Sequence, residues 1–207
     1  MSIVTCRSHL SRGVPQIGKV RPVETLFNYV GGGSGSWRIT QIGIHSGLPL
    51  KPATHLDISN GRLDQAPVGA AWMFHGIVSN TRYVTSENRD SQDSRPPSFY
   101  GSEATCAALI PIRKSAAWWN LARNERREIV ESRTRHVATG LKFLPWIARR
   151  LQYSRNPGEP FDFVTWFEYS PRDARIFDDL AGALRSSEEW RYVEREIDIR
   201  LVRECER

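Results

Sequence analysis

The sequence predicts an α+β protein: an antiparallel sheet able to close on itself, with helices on one side. Two observations carry this expectation. The first half of the 207 residues is a series of short apolar, strand-like runs broken by glycine, proline and asparagine, with little helical pattern. The second half alternates strand, helices, strand, helix and strand.

Residues 1–24 read as an irregular arm, with Pro15, Pro22 and scattered charge. Leu26–Gly32 predicts a strand, residues 32–36 a tight glycine–serine loop, and 37–45 a second strand. Residues 46–68 read as loop, since Pro49, Pro52, Asn60-Gly61 and Pro67 punctuate them. Residues 70–85 predict a strand, a break at Ser79-Asn80, and another strand. The polar, proline-containing stretch 85–104 reads as a long surface loop between two halves.

Cys106–Lys114 is an apolar run of buried-strand length, and 115–122 a short helix. Residues 124–144 predict a long helix, with Ile129, Val137, Gly140, Leu141 and Leu144 on its apolar or small positions. Pro145 removes a donor and clashes with the preceding turn, so this helix should kink or restart there. Residues 161–169 predict a strand with Phe161, Phe163, Thr165 and Phe167 on one face. Ser170-Pro171-Arg172-Asp173 predicts a helix start with serine as N-cap. That helix runs through Phe177, Leu180 and Leu184, and a last strand over 190–203 puts Ile197, Ile199 and Leu201 on one face. The chain thus divides into the arm 1–24, a strand-rich half 25–104 and a second half 105–207.

Apolar residues make up 40% and aromatic ones 10%, as in a soluble globular protein. No apolar run approaches the roughly 18 residues of a membrane helix. The basic start lacks the apolar core of a secretory signal, and Cys6, Cys106 and Cys205 match no zinc or covalent haem pattern. Reduced thiols in the cytoplasm are therefore expected. The net charge of +6 fits either a solvated arginine-rich surface or attraction of an anion. Without a lysine-rich block or zinc-finger spacing, nucleic acid is not expected.

Of the five histidines, none pairs with another at chelating spacing, so a zinc site is not expected. His136 sits mid-helix with Gly140 one turn later, where a missing side chain lets something flat approach. Arg149 and Arg150 follow Pro145 by one turn, and arginine forks toward anions. Lys114 precedes Trp118 and Trp119, which read as core packing beside a snorkelling lysine or as an aromatic wall with a cation at its edge. Glu188 and Glu189 read as a solvated pair or as an orienting partner for a metal-ligating histidine.

The stretches SNTRYVTS, AALIPIRKSAAWW, ESRTRHVATGLKFLPWIARRL, FDFVTWFEYS and SEEWRYVEREIDIRL together resemble the haem-dependent chlorite dismutases, specifically their short, dimeric branch. The resemblance spans roughly Leu26 to Arg203 and is densest from Ala107 onward. It implies two ferredoxin-like halves, the first truncated, that form an antiparallel β-barrel with helices outside, in a homodimer. It also implies a haem b enzyme, one non-covalent haem per subunit, that converts chlorite to chloride and dioxygen with O–O bond formation at the haem iron.

Carried over by residue, the resemblance makes His136 the proximal iron ligand and Glu189 the acceptor for its other ring nitrogen. Position directly before Trp190 favours Glu189 over Glu188. Arg149 becomes the charged residue over the distal face, which Thr165 and Phe167 line with Leu151 nearby. Lys114 and Tyr83 become contacts to the haem propionates, and Trp118 and Trp119 pack the haem. A break at Pro145 fits this scheme, because a straight helix of thirteen residues would separate His136 from Arg149 by about 20 Å. Chlorite or a similar small anion is the expected partner, with neither nucleic acid nor membrane. Two other readings stay open. One is a coproheme decarboxylase of the same superfamily, against which Trp118, Trp119 and Arg149 count. The other is a haem-binding stress protein without chlorite turnover.

Overall fold

Eight strands close into an antiparallel barrel in the order β1-β3-β2-β8-β5-β7-β6-β4. They are β1 Leu26–Gly32, β2 Trp37–Ser46, β3 His55–Asn60, β4 Trp72–Ile77, β5 Cys106–Lys114, β6 Ile147–Tyr153, β7 Phe163–Tyr169 and β8 Val193–Arg203. The structure, a computed structural model, describes residues 25–61, 63–78, 103–130, 143, 146–154 and 158–204. Among the described residues the second half carries the helices α1 Ala116–Asn120, α2 Arg123–Glu128 and α3 Ala174–Arg185. Short 3-10 turns at Pro171–Asp173 and Glu188–Tyr192 flank α3.

Strands β1–β4 form one half and β5–β8 the other. Numbered within its own half, each set of strands lies side by side in the order 4-1-3-2, the ferredoxin-like arrangement. The halves join where β2 pairs with β8 and where β4 meets β6 through Ile77 and Tyr153. Closure at the β4–β6 seam rests on that one paired position, and β2 pairs with β3 at Trp37 and Arg38 only.

Strand alternation divides the apolar residues into two layers. Tyr29, Leu56, Phe74, Leu109, Trp166 and Ile199 fill the barrel interior. Ala108, Ile110 and Ile112 of β5, with Ile147, Phe163 and Phe167, point outward and pack beneath Phe177, Leu180 and Leu184 of α3. The second half therefore has a covered outer face, and that face carries the site. No helix among the described residues is long and apolar enough to cross a membrane.

Four expectations change. Residues 55–60, read as loop, form β3, because Leu56 is buried in the barrel and the strand lies between β1 and β2. The asparagine, aspartate and serine around Leu56 and Ile58 hid that alternation. From Ile147 the chain does not restart as helix but forms β6, which pairs with β7 along its whole length. Phe161 does not share a face with Phe163, Thr165 and Phe167. It precedes β7, so the two-residue period does not reach it, and it packs in the barrel interior against Phe74. The last strand starts at Val193 rather than Trp190, which belongs to a 3-10 turn. Ser170 does stand at the cap of the turn before α3, but only its carbonyl is used, by Asp173 N–H at 2.8 Å.

Candidate active site

The outward face of β6 and β7 brings four of the expected residues together. Arg149 lies opposite Phe167 in the ladder, and Leu151 opposite Thr165. Alternation sends Arg149 and Leu151 outward with Phe167 and Thr165, and sends Arg150 and Gln152 into the barrel. There the Arg150 guanidinium stacks 4.3 Å from the Phe27 ring centre, and Gln152 Nε2 donates to Tyr29 Oη at 2.7 Å. On the outer face the Arg149 guanidinium sits 6.0 Å from the Phe167 ring centre. Burial pushes it below the ordinary arginine range, and Glu189 acts in the opposite direction. Leu151 stays 45% exposed although it stands on an apolar wall, as the open side of a pocket would leave it.

Beside this face lies a buried ion pair. Lys114 Nζ donates to Glu189 Oε1 at 2.8 Å and to the Glu189 carbonyl at 3.3 Å, and its side chain has no exposed surface. The ammonium stands 4.7 Å from the Trp118 ring centre and 5.5 Å from that of Trp190, an aromatic cage on two sides. Burial pushes the lysine below its ordinary range, against the pull of Glu189. Lys114 is thus engaged with both the side chain and the backbone of Glu189. Of the two adjacent glutamates, Glu189 is the buried one that joins this pair, and Glu188 is partly exposed.

Lys114 points outward because β5 is irregular at its end. Its pairing with β8 slips between Arg113 and Lys114, and Asp162 Oδ2 accepts the Lys114 backbone N–H at 2.7 Å. Trp118 and Trp119 sit on α1 with different roles. Trp118 is buried against Tyr192, and its Nε1–H has no hydrogen-bond partner among the described residues. Trp119 is partly exposed, stacks on Phe163 and lies under the Arg126 guanidinium. His136 and Tyr83, like Gly140 and Pro145, lie outside the described residues.

Sequence reasoning missed Asp162 and Glu196. Both are carboxylates in strand-like surroundings, where a charged residue reads as solvent-facing. Glu196 is 2% exposed and accepts from Trp190 Nε1 and Arg185 Nε, each at 2.7 Å. Only the placement of α3 and of the 3-10 turn after it over β8 gives it those donors.

The residues present fit a large, flat, apolar group with acidic edges. The pocket face offers aromatic and aliphatic walls and one buried guanidinium. A buried indole N–H with no described acceptor suits a ligand that brings its own. Among the described residues no cluster of histidine, cysteine or carboxylate could hold a bare metal ion.

Fold and site together define an antiparallel α+β barrel built from two like halves, with an arginine, a lysine and a glutamate gathered on the outside of the second. Residues 59–204 match the family model described as chlorite dismutase, and the chain belongs to the chlorite dismutase family. The chlorite dismutase of Ideonella dechloratans is 32% identical over 119 residues, a match that covers 56% of this chain and 40% of that protein. The crystal structure of dimeric chlorite dismutases from Nitrobacter winogradskyi shares 47% identity, covers 86% of this chain and 99% of that one, and superposes with a TM-score of 0.78. A chlorite dismutase from Candidatus Nitrospira defluvii, solved in complex with imidazole, shares the fold at 17% identity, covering 86% of this chain and 90% of that one, with a TM-score of 0.62.

Proposed function

We propose that the chain is a haem b-dependent chlorite dismutase that converts chlorite to chloride and dioxygen and works as a homodimer. One observation carries the reading: a single guanidinium, Arg149, stands on an apolar outward face in register with Phe167, beside the buried Lys114–Glu189 pair. When bound, the haem iron supplies the redox chemistry by which chlorite oxygen atoms become dioxygen.

The protein's part is to hold the anion. Arg149 keeps its charge at every working pH and lies where water is scarce. A small oxyanion about 4 Å away gains about 4 kcal/mol at an effective dielectric of about 20. That attraction retains a chlorine oxyanion near the iron and restrains its escape. Arg149 is not a proton donor here. The described histidines His45, His55 and His75 pair with Asp198, Glu204 and Glu159 instead of facing it. Among the described residues no histidine is placed to act as a distal general base, and the proposed chemistry does not call on one.

His136 is the proposed iron ligand from the protein, and Glu189 the acceptor for its second ring N–H. Lys114 tempers that carboxylate by neutralising part of its charge. Trp118 is the proposed donor to an acidic edge of the haem, and Thr165, Phe167 and Leu151 line the substrate side, with Trp119 packed nearby. The sequence resemblance adds Tyr83 as a propionate contact.

The test is an oxygen-electrode trace of haem-reconstituted protein given chlorite, with His136→Ala alongside. The expected result is stoichiometric haem uptake, one dioxygen per chlorite consumed, and no stable Soret band in the variant. Haem uptake without oxygen release would favour a haem-binding stress protein. No uptake would overturn the reading altogether.

A further inference from the structure

Glu189 sits in a turn that cannot hold itself. Glu188–Tyr192 is a single stretch of 3-10 helix, a geometry with poorer hydrogen bonds than an α-helix and little stability of its own. Its backbone bonds include Trp190 N–H to the Ser187 carbonyl at 3.1 Å and Val193 N–H to the Trp190 carbonyl. Where the Glu189 carboxylate points is therefore set by the turn's outside anchors.

The end of the turn is tied to the end of β5 by Ser115 N–H donating to the Tyr192 carbonyl at 2.8 Å. Next to Glu189 itself the side-chain anchor on the sheet is Trp190. Its Nε1–H donates to Glu196 Oε2 at 2.7 Å. The other oxygen of Glu196 is taken by Arg185 Nε, also at 2.7 Å, from the last turn of α3. Glu196 belongs to β8, which is paired on both sides, with Ser46 of β2 and Ile112 of β5 at this residue. Both carboxylate oxygens are thus committed and the backbone beneath them is fixed. The same indole lies 5.5 Å from Lys114 Nζ, so Trp190 holds the turn and also walls the ammonium that binds Glu189. One rigid path runs from β8 through Glu196 and Trp190 to Glu189.

We propose that Trp190 is a positioning residue: by tying the turn to Glu196, it fixes the Glu189 carboxylate against Lys114, and so sets the group that the haem reading above assigns to the proximal ligand. The consequence at the iron rests on the haem reading above, while the anchoring rests on the contacts alone. Trp190→Phe removes the N–H and keeps a ring beside Lys114, so it separates the anchor from the packing.

Two readouts test this on the full chain. The first needs no haem: the ammonium resonance of Lys114 in a proton–nitrogen correlation spectrum, assigned by its loss in Lys114→Arg. A buried, paired ammonium exchanges slowly, and the signal should be lost in Glu189→Ala and in Trp190→Phe. The second uses haem b as the probe, with the Fe(III)/Fe(II) midpoint potential read by spectroelectrochemistry. Trp190→Phe should shift the potential upward, in the direction of Glu189→Ala, and the double variant should go no further than Glu189→Ala alone. If Trp190→Phe does not fold, Glu196→Gln takes its place, since a single amide oxygen must then serve two donors. A retained Lys114 signal in the folded variant, an unchanged potential, or additive shifts would overturn the proposal. If the parent protein takes up no haem, the haem reading fails, and the ammonium signal alone decides the anchoring.

Discussion

Arg149 and Arg150 are neighbours in sequence and opposites in the fold. One stands outward beside Phe167, and the other stacks on Phe27 inside the barrel. Arg149→Ala should therefore leave haem binding intact while lowering chlorite turnover and hastening loss of the Soret band during turnover. Arg150→Ala should leave that bleaching rate unchanged, and stopped-flow spectra with oxygen yields measure both. Glu189→Ala should raise the Fe(III)/Fe(II) potential, because a less anionic histidine stabilises ferric iron less. An unmoved potential would break the link between this carboxylate and the iron. The sequence, through the family resemblance, singled out Arg149, Lys114 and Glu189 as candidates. The pairing of Lys114 with Glu189 was not legible there, since 75 residues separate them and only the fold brings them within 2.8 Å.

At the scale of elements, the seam between β4 and β6 closes the barrel with a single paired position, Ile77 with Tyr153. The fit there is close. A Cβ added at Gly76 would stand 1.8 Å from Gln152 Oε1 and 2.9 Å from Gln152 Cβ. Gln152 cannot simply swing aside, because its amide donates to the buried Tyr29 hydroxyl. Gly76→Ala should cost about 1–3 kcal/mol by overpacking, read as a lower denaturant midpoint. Sequence periodicity found the strands that bury one clean face, such as β5, β7 and β8. It missed β3 and β6, whose outward or edge positions carry charge. β6 places Arg149 on its outward face and Arg150 on its barrel-interior face, so neither face reads as apolar.

The whole molecule also carries a buried charge cluster between α3 and β8. Burial works to raise the Asp198 carboxyl, but hydrogen bonds and charge from Arg200 and Arg185 outweigh it and hold it below the ordinary range. Arg200 forks onto it through two bonds of 2.6 and 3.0 Å, Arg185 adds one of 2.8 Å, and His45 stands 3.9 Å away. A depressed folded value means the stabilisation is present above the unfolded value, about 3.9, and is lost as pH falls through the folded one. Asp198→Asn should therefore destabilise the protein at pH 7, and the difference from the parent should shrink near pH 3. Denaturant unfolding at the two pH values measures this. A sizing column with light scattering should return twice the 207-residue mass, as the proposed homodimer requires.

By itself the sequence determined the α+β class, the division into a strand-rich and a helix-bearing half, and the family resemblance that singles out Arg149, Glu189 and Lys114. These follow from local alternation, caps and contiguous motifs, all of which act over a few residues. Only the tertiary structure decided that both halves share one strand order, that Arg150 turns into the barrel against Phe27, and that Lys114 pairs with Glu189. Each depends on strand pairing or side-chain contact between residues far apart in the chain. Register then converts a one-residue step into a change of face.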